Sequence, residues 1–325
     1  MTSRQRFKAV MAYEAVDRVP YFEEGIREPV VNAWRSQGLS GKRALQSRYP
    51  SDERQDLDLD TRPRPDINQW PTSHAELENF RRHLNPNDKK RWPRGWKILH
   101  RQGRKRDHVL MLDVHRGFFL TMGVMDWSRF HGVMVLLTDK PGLVREMMAI
   151  QGQFCARLLE QFLEKVQIDA AVFSEPIGGN EGPLMSPQMY EDIVLRSYQP
   201  IMAVLKQHHV ETIVFQTYAN ARILVPSILK WGFTTLWACE VFSPDMDYMD
   251  LRKLFGRDLG LIGGIDLDAL RKGKADIKKE VLTRVPRLIE QGGYIPLADG
   301  RVREDVPFEN YCYYRELLQD VTQSG

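Results

Sequence analysis

Cysteine is scarce in this sequence. The 325 residues contain three, Cys155, Cys239 and Cys312, far apart and without a CxxC pair. That spacing excludes a disulfide framework and a cysteine-rich zinc knuckle, and it fits a reducing compartment. Long apolar runs are absent too: none approaches the roughly 18 residues that a membrane-spanning helix needs. The opening MTSRQRFKAV lacks the apolar region of a signal peptide, so the cytoplasm is the expected location and no membrane is an expected partner. Net charge is small, 46 Lys and Arg against 43 Asp and Glu, a formal +3. The 42% apolar and 27% charged residues are those of a globular protein with a substantial core.

The charge that exists is unevenly placed. Residues 81 to 106, RRHLNPNDKKRWPRGWKILHRQGRKR, hold eleven Lys or Arg against one acid, Asp88. Cations interleaved with Trp92 and Trp96 are what single-stranded nucleic-acid binders use. Pro86, Pro93, Gly95 and Gly103 instead break the run into turns, and a charge cluster on a loop is ordinarily a solvated face. Nucleic acid is therefore not the expected partner; an anionic substrate or an acidic protein fits better.

The first 105 residues differ from the rest. A helical start (Arg4 to Met11) and a short strand, DRVPYFEEG, precede a polar, proline-bearing stretch from about 38 to 106 that reads as an insertion or cap with one short helix. From Asp107 the pattern alternates. HVLMLDVHRG reads as a strand and Trp127 to Leu137 as an apolar helical region. A long amphipathic helix follows, with Val144, Met147, Met148, Phe154, Leu158, Leu159 and Phe162 on its core face. Five strand-then-helix units come next, on DAAVFSEP, ETIVFQTYAN, TTLWACEVF, LGLIGGID and GYIPLADG. Ser186 is placed to cap, and Pro187 to open, the helix after the first. Repeated βα units without hairpin signals predict an α/β fold with a parallel sheet. Seven or more strand candidates in one chain favour a single (β/α)8 TIM barrel over residues 1–325.

In such a barrel the reacting groups lie at the C-terminal strand ends. Those ends carry Glu23 and Glu24, Asp113 and His115, Glu175, Gln216 with Tyr218 and Asn220, Glu240, Asp266, and Asp299. So many acids on one rim require cations, shared protons, metal or water. Asp266, ahead of LDALRKG, reads as a helix cap instead.

DRVPYFEEG, EGPLMSPQMYEDIVLRSYQPIM, LGLIGGIDLDALRKGK and GGYIPLADGRVREDVPFENYCYYREL closely resemble the uroporphyrinogen decarboxylase superfamily, which also contains zinc-dependent, corrinoid-linked methyltransferases. The resemblance covers nearly the whole chain, is most specific from Ile168 to Leu318, and implies a single barrel with its site in the C-terminal mouth. In the methyltransferase branch a His-x-Cys pair and a later cysteine bind zinc; Gln216, Tyr218 and Gly300 stand at the matching positions here. Zinc prefers thiolate, imidazole or carboxylate, so no tightly bound zinc is expected. In the decarboxylase branch the N-terminal arginine-rich segment has no match in YFEEGIREPVVNAW, although Arg27 is near, and a late histidine falls at Gly300. A third, O-demethylase-like branch often carries acids where Glu175 and Glu240 stand, and the sequence matches it best.

The resemblance therefore implies an enzyme, with methyl transfer from a small methylated substrate to a corrinoid acceptor ahead of decarboxylation. Tyr218, or a carboxylic acid among Glu175, Glu240 and Asp299, would protonate the departing oxygen, and Gln216 and Asn220 would orient the substrate. A corrinoid-carrying protein and a second copy of the chain are the protein partners it allows. For a decarboxylase, Arg222, Arg301, Arg303 and Arg116 are placed to hold a carboxylate; Arg303, next to Glu304 and Asp305, reads better as a surface ion-pair partner. His115 is a further substrate-binding candidate, and together with the strand-end carboxylates it could instead hold a metal ion. Gly263 and Gly264 read as close packing at the rim rather than a phosphate cradle, and PIGGNEGP as a lid-like loop. A barrel that binds a ligand without turnover is the remaining alternative.

Overall fold

The computed structural model describes residues 1–67, 69–239 and 246–323. The chain divides into two compact units, one of residues 55–106 and 110–234, the other of residues 1–54, 107–109 and 235–325.

The first unit is built on strands β1 (Arg54–Asp58), β2 (Val109–His115), β3 (Ala170–Ser174) and β6 (Thr212–Thr217), with a hairpin of two-residue strands, β4 (Gly178–Gly179) and β5 (Gly182–Pro183), after β3. The order is β1-β2-β3-β6, and the β2–β3 and β3–β6 pairings are parallel. Nearly every residue of β2, β3 and β6 is buried, as expected of parallel strands covered on both faces. The helix Pro141–Leu163 opens on its proline and buries the apolar face expected of it, from Val144 through Phe162. After β3, Ser186 accepts the Met189 N–H and Pro187 fills the first helical position, as anticipated. That helix continues through a π-helical turn, Glu191–Leu195, into Arg196–Gln207.

One expectation is corrected here. Within the stretch 38–106, the segment RYPSDERQDLDLDTRPRPD, expected as loop, supplies β1; in and just after it Leu57 and Leu59 alternate with Asp56, Asp58 and Asp60. Leu57 and Leu59 are buried, so the period of two is that of a strand. Three aspartates among six residues give it the polarity of a loop.

The second unit carries the parallel strands β7 (Thr235–Ala238), β8 (Gly260–Ile265) and β9 (Tyr294–Ala298). Helices Lys274–Gln291 and Phe308–Gln323 follow β8 and β9. DRVPYFEEG is buried at Val19, Tyr21 and Phe22 but forms no strand. Gly264 is dictated by packing: at φ +83°, a Cβ there would lie 2.4 Å from the Tyr248 ring. Asp266 caps the helix Leu267–Lys272 through the Asp268 N–H, as its position predicted.

Arg106 and Asp169 form a fully buried ion pair at 2.5 Å, and the Leu110 N–H donates to the same carboxylate at 2.9 Å. Removing one partner of such a pair strands the other charge in a low dielectric, so Asp169→Ala is expected to cost about 3–5 kcal/mol in urea unfolding. A loss under about 1 kcal/mol would place this pair with weak surface bridges.

Candidate functional site

In the first unit, side-chain direction at the strand ends follows from register. Phe173 pairs with Phe215, and its ring packs at 4.9 Å on Tyr198 of the following helix and on Phe233. Phe173 and Phe215 therefore face the helices, and the alternate residues Val172, Ser174, Val214 and Gln216 face the other way. Asp113 pairs with Val172, while His115 pairs with Phe173, so Val114 is an extra residue in β2. This bulge leaves Asp113 on the face of Ser174 and turns His115 toward the helices.

The face of Asp113 and Ser174 opens into a cleft of about 350 Å³, lined by residues 58–62, Asp113, His115, Arg116, Leu120 and Ser174. Arg62 donates through Nε to Asp60 at 3.0 Å, and Arg64 forms an ion pair with the same carboxylate. Burial pushes the Asp60 carboxyl up, but the hydrogen bond and charge of Arg62 outweigh it and hold it below the usual range. Arg116 is half-buried and makes no hydrogen bond or ion pair with a described residue. Burial, and then Arg62, hold its guanidinium below the ordinary arginine range, against the pull of Asp60 and Asp58.

Behind the cleft wall lies a second group. Glu175, fully buried, accepts the Phe118 N–H at 2.7 Å on Oε1, and the hydroxyls of Tyr190 and Tyr198 at 3.0 and 2.7 Å on Oε2. Burial raises its carboxyl to about 7, against the three donors. Burial and the Glu175 charge push both tyrosines well above 10, so they stay protonated and donate. Gly117, at φ +77°, makes the Phe118 contact feasible, since a Cβ there would lie 2.7 Å from Glu175 Oε1. His115 accepts the Gly117 N–H at 3.0 Å on Nδ1, which puts its proton on Nε2, an atom buried without a hydrogen-bond partner among the described residues. Burial, then Arg116, lower its pKa to about 3, and it is neutral.

The site residues expected from sequence are thus distributed rather than gathered. Glu175 stands behind the wall, not in the cleft; Gln216 shares the Ser174 face, paired to it in register. Tyr218, just past β6, is 50% exposed. Asn220 donates its backbone N–H to Gly179 at 2.9 Å, tying the hairpin in PIGGNEGP to the end of β6, and its side chain accepts the Arg222 N–H at 3.3 Å. In the second unit, Asp299 is buried and accepts the Gly264 N–H at 3.2 Å, whereas Arg301 is exposed. Glu240 lies outside the described residues. The second unit has its own polar group: Arg54 pairs with Glu24 at 3.2 Å and lies about 5 Å from the ring centroids of Phe22 and Trp237. Glu23 accepts from Arg315 and Tyr311, both at 2.7 Å.

Sequence reasoning missed Asp58, Asp60, Arg62, Ser174 and Arg54. The alternation in QDLDLD was the available signal for the first two; nothing local marked Ser174, whose direction depends on pairing. Zinc does not fit where the methyltransferase branch holds it: Gln216 and Tyr218 are poor ligands and Gly300 has no side chain. Among the described residues, no group of three or more His, Cys, Asp or Glu could hold a metal ion, and no helix is long and apolar enough to cross a membrane.

Parallel βα units with polar strand ends define an α/β protein of the TIM-barrel type. The sequence model of the family described as Uroporphyrinogen decarboxylase (URO-D) matches residues 56–320, and the chain belongs to that family. Its fold is similar to that of a methyltransferase from Methanosarcina mazei, with a TM-score of 0.63 at 15% identity over 98% of this chain and 99% of that one. No functionally curated protein matches it.

The raised Glu175 carboxyl predicts a pH signature. Between its ordinary value of 4.5 and about 7, the folded state holds a proton that the unfolded state has released. The contribution of Glu175 to stability should therefore be fully present below 4.5 and be lost as pH rises toward 7, at about 1.4 kcal/mol per pH unit. In Glu175→Gln that slope should vanish from urea unfolding measured at pH 4.5 to 7.5. An unchanged slope would assign the titration elsewhere.

Proposed function

We propose that this URO-D-family chain is an enzyme acting on a small carboxylate-bearing substrate seated in the β1–β2–β3 cleft, and that it transfers a methyl group from that substrate to a corrinoid acceptor. The single observation that supports the substrate class is Arg116: a half-buried guanidinium on the cleft wall without a described partner. Guanidinium binds carboxylate through two parallel hydrogen bonds, and a cleft partly closed to water strengthens them.

Methyl transfer demands a proton for the departing oxygen. The half-exposed phenol of Tyr218, two residues beyond Gln216, is the donor that the strand-end row offers. Gln216, on the Ser174 face, would orient the substrate. A corrinoid, carried by a partner protein, would supply the reduced cobalt nucleophile; this chain's part is to bind, orient and protonate. Glu175, closed behind two tyrosines, supports the wall rather than the chemistry.

Decarboxylation is the second reading, favoured by Asp113 and Asp58 on the same cleft as Arg116. There the guanidinium would hold one carboxylate while a carboxylic acid protonates the carbon left by carbon dioxide.

Incubation with reduced cobalamin and a panel of methoxylated and carboxylated compounds separates the readings, with cobalt methylation expected and carbon dioxide release marking the second. Binding without either would mark a ligand-binding barrel. Arg116→Ala should weaken substrate binding about 10- to 150-fold, the value of a charged hydrogen-bonded contact. Tyr218→Phe should lower turnover by about 10²–10⁴ with the Michaelis constant little changed. Undiminished turnover would remove Tyr218 from that role.

A further inference from the structure

Three successive carbonyls after β1 accept hydrogen bonds from buried side chains. Arg91 donates through Nη1 to the Asp60 carbonyl at 3.0 Å and to the Arg62 carbonyl at 2.6 Å; between them, Gln151 Nε2 donates to the Thr61 carbonyl at 2.5 Å. Arg91 Nη2 reaches the His83 carbonyl at 2.9 Å, and the Asp60 N–H returns a bond to the Arg91 carbonyl at 2.8 Å. Both side chains are almost fully buried, at 1% and 2% exposure. Gln151 belongs to the helix Pro141–Leu163, and so does Phe154, whose ring lies 4.8 Å from the Arg91 guanidinium. The main chain of residues 60–62 is thus held at three consecutive carbonyls, the middle one directly by a long helix and the outer two by Arg91, which packs on a ring of that helix.

The fastening has a chemical consequence on the other side of the loop. Asp60 lines the same cleft as Arg116 and is a carboxylate, as the proposed substrate is. With the loop fixed, Asp60 is engaged by Arg62, which donates to it from Nε at 3.0 Å and from its backbone N–H at 3.2 Å, and by Arg64. With the loop released, the geometry that directs this internal carboxylate to Arg62 and Arg64 would loosen, and it could compete for Arg116.

We infer that Arg91 and Gln151 are positioning residues, which hold the main chain of residues 60–62 so that Asp60 stays on Arg62 and Arg116 is left open to the substrate carboxylate. This rests on the reading of the cleft as a carboxylate site. Neither residue lines the cleft; both act through the backbone they grip.

The test uses Gln151→Met, which keeps the volume and removes one bond, with Arg91→Lys as a second variant and Asp60→Asn as the control. Binding of succinate and benzoate is followed by calorimetry, and the rate of Arg116 modification by phenylglyoxal is followed by peptide mass mapping. Gln151→Met should weaken carboxylate binding about tenfold, the value of one hydrogen bond, and slow the modification of Arg116. Adding Asp60→Asn should restore both to the level of Asp60→Asn alone, which a merely loosened fold would not do. Losses that persist in the double variant, or an Arg116 rate unmoved by either Gln151→Met or Arg91→Lys, would overturn the inference. Should the wild-type protein bind neither carboxylate, the substrate reading fails by itself, while the modification rates still decide the positioning role.

Discussion

A β-strand sends successive side chains to opposite faces, and one extra residue reverses that order for everything beyond it. In this protein Val114 is that residue. Without it, His115 would share the face of Asp113; with it, Asp113 stays with Ser174 while His115 joins Phe173 on the helix side. The same alternation sends Glu175 back toward Tyr190 and Tyr198 and keeps Gln216 on the open face. The contents of the cleft and of the wall behind it are therefore set by pairing register before any question of catalysis arises.

The two sides of the wall differ in how their charges are satisfied. Behind it, Glu175 has three donors and a glycine at 117 that admits one of them, an arrangement that joins the ends of β2 and β3 to the next helix. On the open side, Asp60 is matched by Arg62 and Arg64, and Arg116 is left over. Partly burying a cation without a counter-ion costs free energy that folding alone does not recover, whereas a bound carboxylate would. The basic stretch divides in a similar way. Arg91 and Arg106 are buried structural ties, and Trp92 packs against Trp96 and Phe162, so its ring is not available to stack on a base.

Much of the fold was legible because helices and buried parallel strands announce themselves locally. The face of the helix Pro141–Leu163, the Ser186–Pro187 start and the Asp266 cap follow from spacing and residue type. β1 was not legible, because its solvent-side aspartates outweighed Leu57 and Leu59 in any reading by polarity. The site was legible only as a set of strand ends. Glu175 and Asp113 both follow apolar runs, yet one lies behind the wall and the other in the cleft; that difference depends on which residue of the neighbouring strand each one faces. Arg116 could be named as a carboxylate holder from its position after a strand, but its lack of a hydrogen-bond or ion-pair partner among the described residues is a property of the folded loop around Asp60.

The central claim is that Arg116, alone among the cleft's arginines, is kept open for a substrate carboxylate. The most direct measurement is ¹H–¹⁵N spectroscopy of the guanidinium groups, assigned with Arg116→Lys and Arg62→Lys, while a carboxylate ligand such as succinate is added. The Arg116 Nε resonance should shift with saturation as its hydrogen bonds form, and that of Arg62, already engaged by Asp60, should stay in place. A titration that moves Arg62 and leaves Arg116 unchanged would contradict the account.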